Sequence, residues 1–467
     1  MNKMNMKKVI VLLSSVIILF TACRKRDAQA PDNLVIFETT SIGLSAAENS
    51  TTIKVKTTSG VNQNTAVTVK LTGFNAAYGT KYTTTPAAVN GEILLTIPSG
   101  NNETSFTVQK VANALFDGDE KIVFTIFSSA TPVLIGNVKQ LTVSFAEIIA
   151  NTSSLTINGG GATYPNKVFI DLSANRQSAI NRTNWDLGFF TSANDFRVTL
   201  NSSVNMMAKQ INKTDLNTVT LADTVGLTTE LSFSQTNPQV VQLPYIDYPN
   251  GDITKTAIAA ISATAIDNKV YIINRGNAVG VNAASRGWKK IRILRNANGG
   301  YTLQHADINS TTFSTIDIAK DEVTFFKEFS FENGVVQVEP AKKKWDIAWS
   351  YFANVTNFGN GEVPYMFQDI ITLNRNVQVA KVLVATKPFA DFSEADISTQ
   401  TFLTTQNAIA SDWRSGGGPT SAPAVRGDRY YIVKDGDNNY YKLRFTALTQ
   451  NGERGYPAYE AILIKKG

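Results

Sequence analysis

The chain has 467 residues, 43% of them apolar and 10% aromatic, with one cysteine and one histidine. That composition supports two or three packed cores, and a single cysteine excludes any disulfide within the chain. The formal charge of +6 does not make a nucleic-acid binder: Lys3, Lys7 and Lys8 sit in a leader, Arg24 to Asp27 carry a net +2, and the sequence from Ala28 onward sums to only +1. No basic block is left to neutralise phosphates.

In chain order, the first element is an apolar run from Val9 to Phe20, broken only by Ser14 and Ser15. It falls short of the ~20 residues needed to cross a bilayer and, behind three lysines, has the form of a secretory h-region. Phe20-Thr21-Ala22-Cys23 resembles a bacterial lipobox. The resemblance implies that residues 1–22 are a signal peptide, that Cys23 carries a lipid, and that 23–33 is a tether. Acyl chains hold a globular protein on a membrane without a spanning helix. Attachment to the outer membrane is expected; the basic residues after Cys23 leave open which face the protein occupies.

From residue 34 to 150 the apolar residues alternate at period two: Ile53 and Val55; Val67, Val69 and Leu71; Phe106 and Val108; Ile122, Phe124 and Ile126; Leu141, Val143 and Phe145. Alternation with turn-rich breaks such as "TTSGVNQN" predicts six or seven short strands and a β-sandwich. The succession "YGTKYTTT", "GEILLTIPSGNNETSFTV", "DGDEKIVFTIFS" resembles the Calx-β-like, immunoglobulin-type sandwich. Asp117, Asp119 and Glu120 read as a solvated turn rather than a calcium site.

Residues 151–161, "NTSSLTINGGG", read as a linker. Beyond it the chain repeats itself. "NWDLGFF" (184–190) returns as "KWDIAWS" (344–350), and "KIRILRNANGGYTLQHADI" (290–308) is echoed by "RYYIVKDGDNNYYKLRFTAL" (429–448), each a strand, a turn of Asn, Asp and Gly, and a strand. The expectation is an all-β chain whose second domain has two similar halves, 162–315 and 316–467.

The phrases "VFIDLSANRQSAINRTNWDLGFF", "FRVTLNSSV", "VEPAKKKWDIAWSYF", "VPYMFQDIITLN", "YYIVKDGDNNYYKLRF" and "ERGYPAYE" resemble the HmuY family of bacterial haem-binding lipoproteins. The resemblance implies a mostly β fold, capture of haem or a related tetrapyrrole from host haemoproteins, and delivery to an outer-membrane transporter. Haem needs apolar walls, partners for its propionates and one or two axial donors. Family members use paired histidines, or methionine in some cases. Here His305 is the only histidine; it lies on a predicted strand on the same face as Tyr301 and Leu303, the matching place in the second hairpin holds Phe445, and it is an alternative ligand at most. The soft donors left after the leader are Met206, Met207 and Met366, and Trp185 to Met206 and Trp345 to Met366 are both 21 residues. Phe190, Arg197, Trp349, Tyr351 and Arg375 are the candidate haem-pocket residues. Trp185 and Trp345 are expected to be structural, with Asp186 and Asp346 bonding to backbone.

No Gly-x-Ser-x-Gly, His-Glu-x-x-His or phosphate-loop pattern occurs, and one histidine on a strand is thin support for an activated nucleophile. The sequence therefore reads as a lipid-anchored binding protein, not an enzyme, with haem as its expected cargo. The alternative is a surface module for adhesion or for glycan or protein recognition, whose aromatics stack on sugars or pack in the core.

Overall fold

The computed structural model describes residues 32–44, 48–112, 114, 120–145, 152–280, 282–417 and 422–467. Cys23, the leader, Asp117 and Asp119 lie outside them. No helix among the described residues is long and apolar enough to cross a membrane.

Ten strands build the amino-terminal sandwich: β1 (Leu34–Phe37), β2 (Ser41–Gly43), β3 (Ser50–Thr57), β4 (Thr65–Phe74), β5 (Tyr82–Thr85), β6 (Glu92–Ile97), β7 (Glu103–Lys110), β8 (Lys121–Ser129), β9 (Leu134–Ile135) and β10 (Gln140–Ser144). They form two five-stranded sheets, β5-β7-β3-β1-β9 and β2-β10-β8-β4-β6. The alternation seen in the sequence is the pleat: in β3, Thr51, Ile53, Val55 and Thr57 face inward and the residues between them outward. One core joins both sheets through Val55, Val69, Phe106, Phe124 and Val143. Glu120 is not in a solvated turn; it is buried and pairs with Lys81.

Eighteen further strands follow: β11 (Thr152–Thr156), β12 (Asn166–Asp171), β13 (Arg176–Asn181), β14 (Leu187–Phe190), β15 (Val198–Leu200), β16 (Met207–Gln210), β17 (Tyr271–Asn274), β18 (Trp288–Arg295), β19 (Tyr301–Asp307), β20 (Ser314–Ile318), β21 (Phe326–Ser330), β22 (Gly334–Val336), β23 (Ile347–Asn357), β24 (Glu362–Leu373), β25 (Gln378–Leu383), β26 (Arg429–Lys434), β27 (Tyr440–Gln450) and β28 (Glu453–Lys465). The segment read as a linker thus contains a strand. Leu155 and Ile157 continue the period-two pattern into the core, and β11 pairs with β28 along Thr152–Thr156. Only the glycines after it are turn-like, and they are there for space: a Cβ on Gly159 would sit 2.2 Å from the Trp349 ring.

These strands form two modules of the same design. In the first, a four-stranded sheet β22-β21-β14-β15 accompanies a five-stranded sheet β20-β19-β18-β17-β16. In the second, the sheets are β13-β12-β23-β24 and β11-β28-β27-β26-β25. Position by position, β11 to β19 correspond to β20 to β28. The sequence repeat and the folded unit are therefore offset by three strands. β20 to β22, from the second repeat, complete the first module; β11 to β13, from the first repeat, complete the second. A boundary at 315/316 cuts through both modules, because an internal repeat records strand order whereas hydrogen bonding decides which copy each strand joins. The hairpin equivalence shifts as well: β18–β19 occupies the place of β27–β28, not β26–β27, so with Lys290 matching Lys442 the residue equivalent to His305 in the other repeat is Ala461 rather than Phe445.

The turn between β12 and β13 touches the sandwich. Gly43 N donates to Ala174 O at 3.1 Å, Asn175 Nδ2 donates to Thr39 Oγ1 at 3.2 Å, and Arg176 pairs with Glu48.

Candidate functional site

The modules meet around Phe169, Trp185, Val338, Trp345 and Ala348. Each tryptophan stands just before the first strand its repeat contributes after crossing over, and equivalent bonds fix both. Asn201 Nδ2 donates to Trp185 O at 2.9 Å and to Arg182 O at 2.7 Å; Asn374 Nδ2 donates to Trp345 O and to Lys342 O, both at 2.8 Å. Asp186 accepts from Phe331 N at 3.0 Å and Asp346 from Leu172 N at 2.8 Å. The Trp-Asp pairs are thus structural clamps.

A cleft with an enclosed volume of about 100 Å³, or about 850 Å³ with the open space before it, lies beside this junction. Its walls are Phe169, Trp185, Trp345, Phe352, Phe325 and Phe326; Lys167, Glu328, Glu339, Asp247 and Asp252 line it with their titratable groups, and Arg375 stands with Tyr248 among the residues around it. Phe169 meets Trp345 edge-on at 5.0 Å. Lys167 Nζ lies 4.9 Å from the Phe169 ring and 5.7 Å from that of Trp185. Exposed Arg375 covers Phe326 at 5.1 Å and Phe190 at 5.2 Å.

Burial governs the charge of this cleft. It pushes the Glu328 carboxyl up to about 8, helped by neighbouring Glu339. Glu339 rises to about 7 although Phe325 N donates to it at 3.2 Å. Asp247 also rises to about 7 while accepting from Leu200 N at 2.6 Å and Ala257 N at 3.0 Å. Lys167 is held below the usual ammonium range by burial, against the attraction of Glu339 and Glu328. Near neutral pH Glu328 is mostly protonated and Glu339 and Asp247 about half so, while hydrogen bonds from Thr254 hold Asp252 below the usual carboxylate range on the Arg375 side of the cleft.

The residues singled out in the sequence fall mostly elsewhere. Met206 and Met207 are buried in different cores, since neighbours on a strand point to opposite sides. Met366 is buried on β24, its main chain bonded in both directions to the Gln235 side chain at 2.9 and 3.0 Å. The structure does not bring the three thioethers together, and the equal spacing of 21 has no structural counterpart. β23–β24 is a far longer hairpin than β14–β15, so Met366 lies in a stretch the first module lacks. His305 packs between Phe329 and Phe331, with ring centroids 5.4 Å from each, away from the cleft. Trp349 is a fully buried core residue against Tyr164, and Tyr351 lies over Tyr164 and Arg182. Arg197 is paired with Asp195 at 3.1 Å. Of the five pocket candidates, Arg375 lines the cleft and Phe190 touches it through Arg375 and Phe326. Lys167, Glu328, Glu339 and Asp247 were missed; a lysine and two glutamates in otherwise apolar strand runs were the available signal.

The HmuY protein family matches residues 163–460. No curated protein matches the chain. Among solved structures, the apo form of the Calx CBD1 domain is 18% identical, with a TM-score of 0.22, covering 25% of this chain and 97% of that one. A two-domain protein of unknown function from Bacteroides fragilis is 9% identical, with a TM-score of 0.19, covering 45% and 82% respectively. A candidate HmuY-like haem-binding protein from Bacteroides vulgatus is 8% identical, with a TM-score of 0.16, covering 68% and 94%. With the family match spanning well over half of its length and both of its repeated modules, the chain belongs to the HmuY family.

Proposed function

We propose that this chain is a lipid-anchored capture protein of the HmuY type, a binder rather than an enzyme, whose cargo is haem or a related tetrapyrrole and whose binding seat is the cleft between the modules. The observation that carries the reading is the pairing, in one recess, of aromatic walls with two cationic side chains, Lys167 near the junction and Arg375 over Phe326. Flat apolar macrocycles with carboxylate arms need that combination. Anchoring through Cys23 to the outer membrane, receipt of haem from host haemoproteins and transfer to a transporter belong to the same proposal.

One observation favours a second reading, recognition of a glycan or protein: among the described residues lining the cleft there is no histidine, methionine or cysteine. Titrating the lipid-free protein with haemin separates the two. Capture gives a saturable change in the Soret and Q bands together with quenching of tryptophan emission. Spectra identical to free haemin at every ratio rule it out in favour of the second reading.

A further inference from the structure

Resting on that reading of the cleft, we infer that recognition there is independent of the metal: the ligand class is a planar aromatic carboxylate, gripped by its faces and its carboxylates, with any iron carried as a passenger.

The first support is the placement of the donors. Met206 and Met207 fill separate cores, Met366 is buried on β24, and His305 is wedged between two phenylalanines. Tyr248 is the phenol lining the cleft, and its hydroxyl already donates to Glu362 at 2.9 Å. Among the described residues lining the cleft, an iron atom would meet no thioether or imidazole.

The second support is what the cleft does supply. Among the described residues Lys167 Nζ has neither a hydrogen-bond nor an ion-pair partner; its contacts are the rings of Phe169 and Trp185. The Arg375 guanidinium donates one hydrogen bond, to Gly251 O at 3.1 Å, and the rest of its fork is free for a carboxylate. A half-buried cation such as Lys167 with unused donors stands ready for an anionic acceptor, and exposed Arg375 can meet one at the surface. The acids nearest to Lys167, Glu328 and Glu339, are buried. In protonated form they neither neutralise the lysine nor repel an incoming carboxylate. The aromatic walls supply the faces.

The experiment compares three ligands on the full lipid-free chain by tryptophan quenching: haemin, iron-free protoporphyrin, and protoporphyrin with both carboxylates esterified. Haemin and the iron-free compound are expected to bind within about threefold of each other, and the diester about tenfold or more weaker. Lys167→Met is expected to weaken the two diacids about tenfold and leave the diester unchanged, while His305→Phe and Met366→Leu change nothing. Binding of haemin alone, lost in Met366→Leu or His305→Phe, overturns metal independence and leaves the capture function standing. Equal binding of the diester overturns carboxylate recognition. If no porphyrin binds, the capture function itself fails and takes the inference with it.

Discussion

Asp186 and Asp346 stand at equivalent points of the two modules with opposite surroundings. Asp186 is buried against Arg275 at 3.0 Å and Arg286 at 2.8 Å. The residue matching Arg275 is Asp435, so Asp346 is repelled by Asp171 and Asp435 and less by Asp437; Arg176, 3.7 Å from Asp171, and Lys343, paired with Asp437, are cations of this cluster. Burial and these carboxylates hold the Asp346 carboxyl well above its ordinary range. The fold therefore keeps a proton that the unfolded chain releases near pH 4. Its stabilising contribution is complete below that pH and is lost as pH rises toward the folded value. Asp346→Asn keeps an acceptor for Leu172 N and removes the charge, so it should raise the melting temperature at pH 7 by about 2–4 °C, with the gain vanishing near pH 4 in a calorimetric series.

Glu328 gives a second residue-scale prediction. As it and Glu339 ionise between about 7 and about 8, negative charge appears beside Lys167. Porphyrin binding should weaken about tenfold from pH 6.5 to 8.5, and Glu328→Gln should flatten that profile. The sequence made the Trp-Asp pairs legible as structural. The thioether spacing misled because spacing along a chain equals spacing in space only where the intervening hairpins have the same length.

At the scale of elements, period-two alternation made six or seven of the sandwich's ten strands readable, and the repeated turn signals those of two hairpins, β18–β19 and β26–β27. It could not reveal partners: nothing in "VFID" says that β12 pairs with β23, where Ile170 meets Ile347, 177 residues on. The long inserts after β16 and after β25 were also illegible, being short 3-10 turns and, in the first, one α-helical turn (Leu227–Glu230), without periodicity. Each is pinned by a buried lysine of the following strands. Lys290 Nζ donates to Val219 O at 2.9 Å and Ser310 O at 2.7 Å; Lys442 Nζ donates to Phe389 O, Ala390 O and Phe392 O at 2.8, 3.3 and 3.2 Å. Lys442→Met strands those carbonyls at a cost of about 1–3 kcal/mol. Amide exchange should quicken across residues 386–400 with little change in the first module; an unchanged exchange map there would remove the pinning role.

At the scale of the molecule, the first module is continuous, from β14 to β22, and is inserted into the second, which is closed by both ends of the domain. Deleting 453–467 removes β28, the strand between β11 and β27. The second module should unfold while the first keeps its protected core around Ile273, Ile291 and Leu303. Limited proteolysis that spares a fragment near 182–340 checks this; loss of both modules together would show that neither stands without the other.

The edge position of β11 has a mechanical consequence. The chain from the sandwich enters the second module through this strand, whose one strand partner is β28 and whose last residue, Thr156, also accepts from Gln177 Nε2 at 3.0 Å. Tension applied from the amino-terminal end is transmitted to that ladder and to the β12–β13 turn contact, and the inserted module lies off the line of force. The cleft, bordered by β12 on one side and β21 on the other, has its Lys167 wall on the strained path and its Phe326 wall on the slack one.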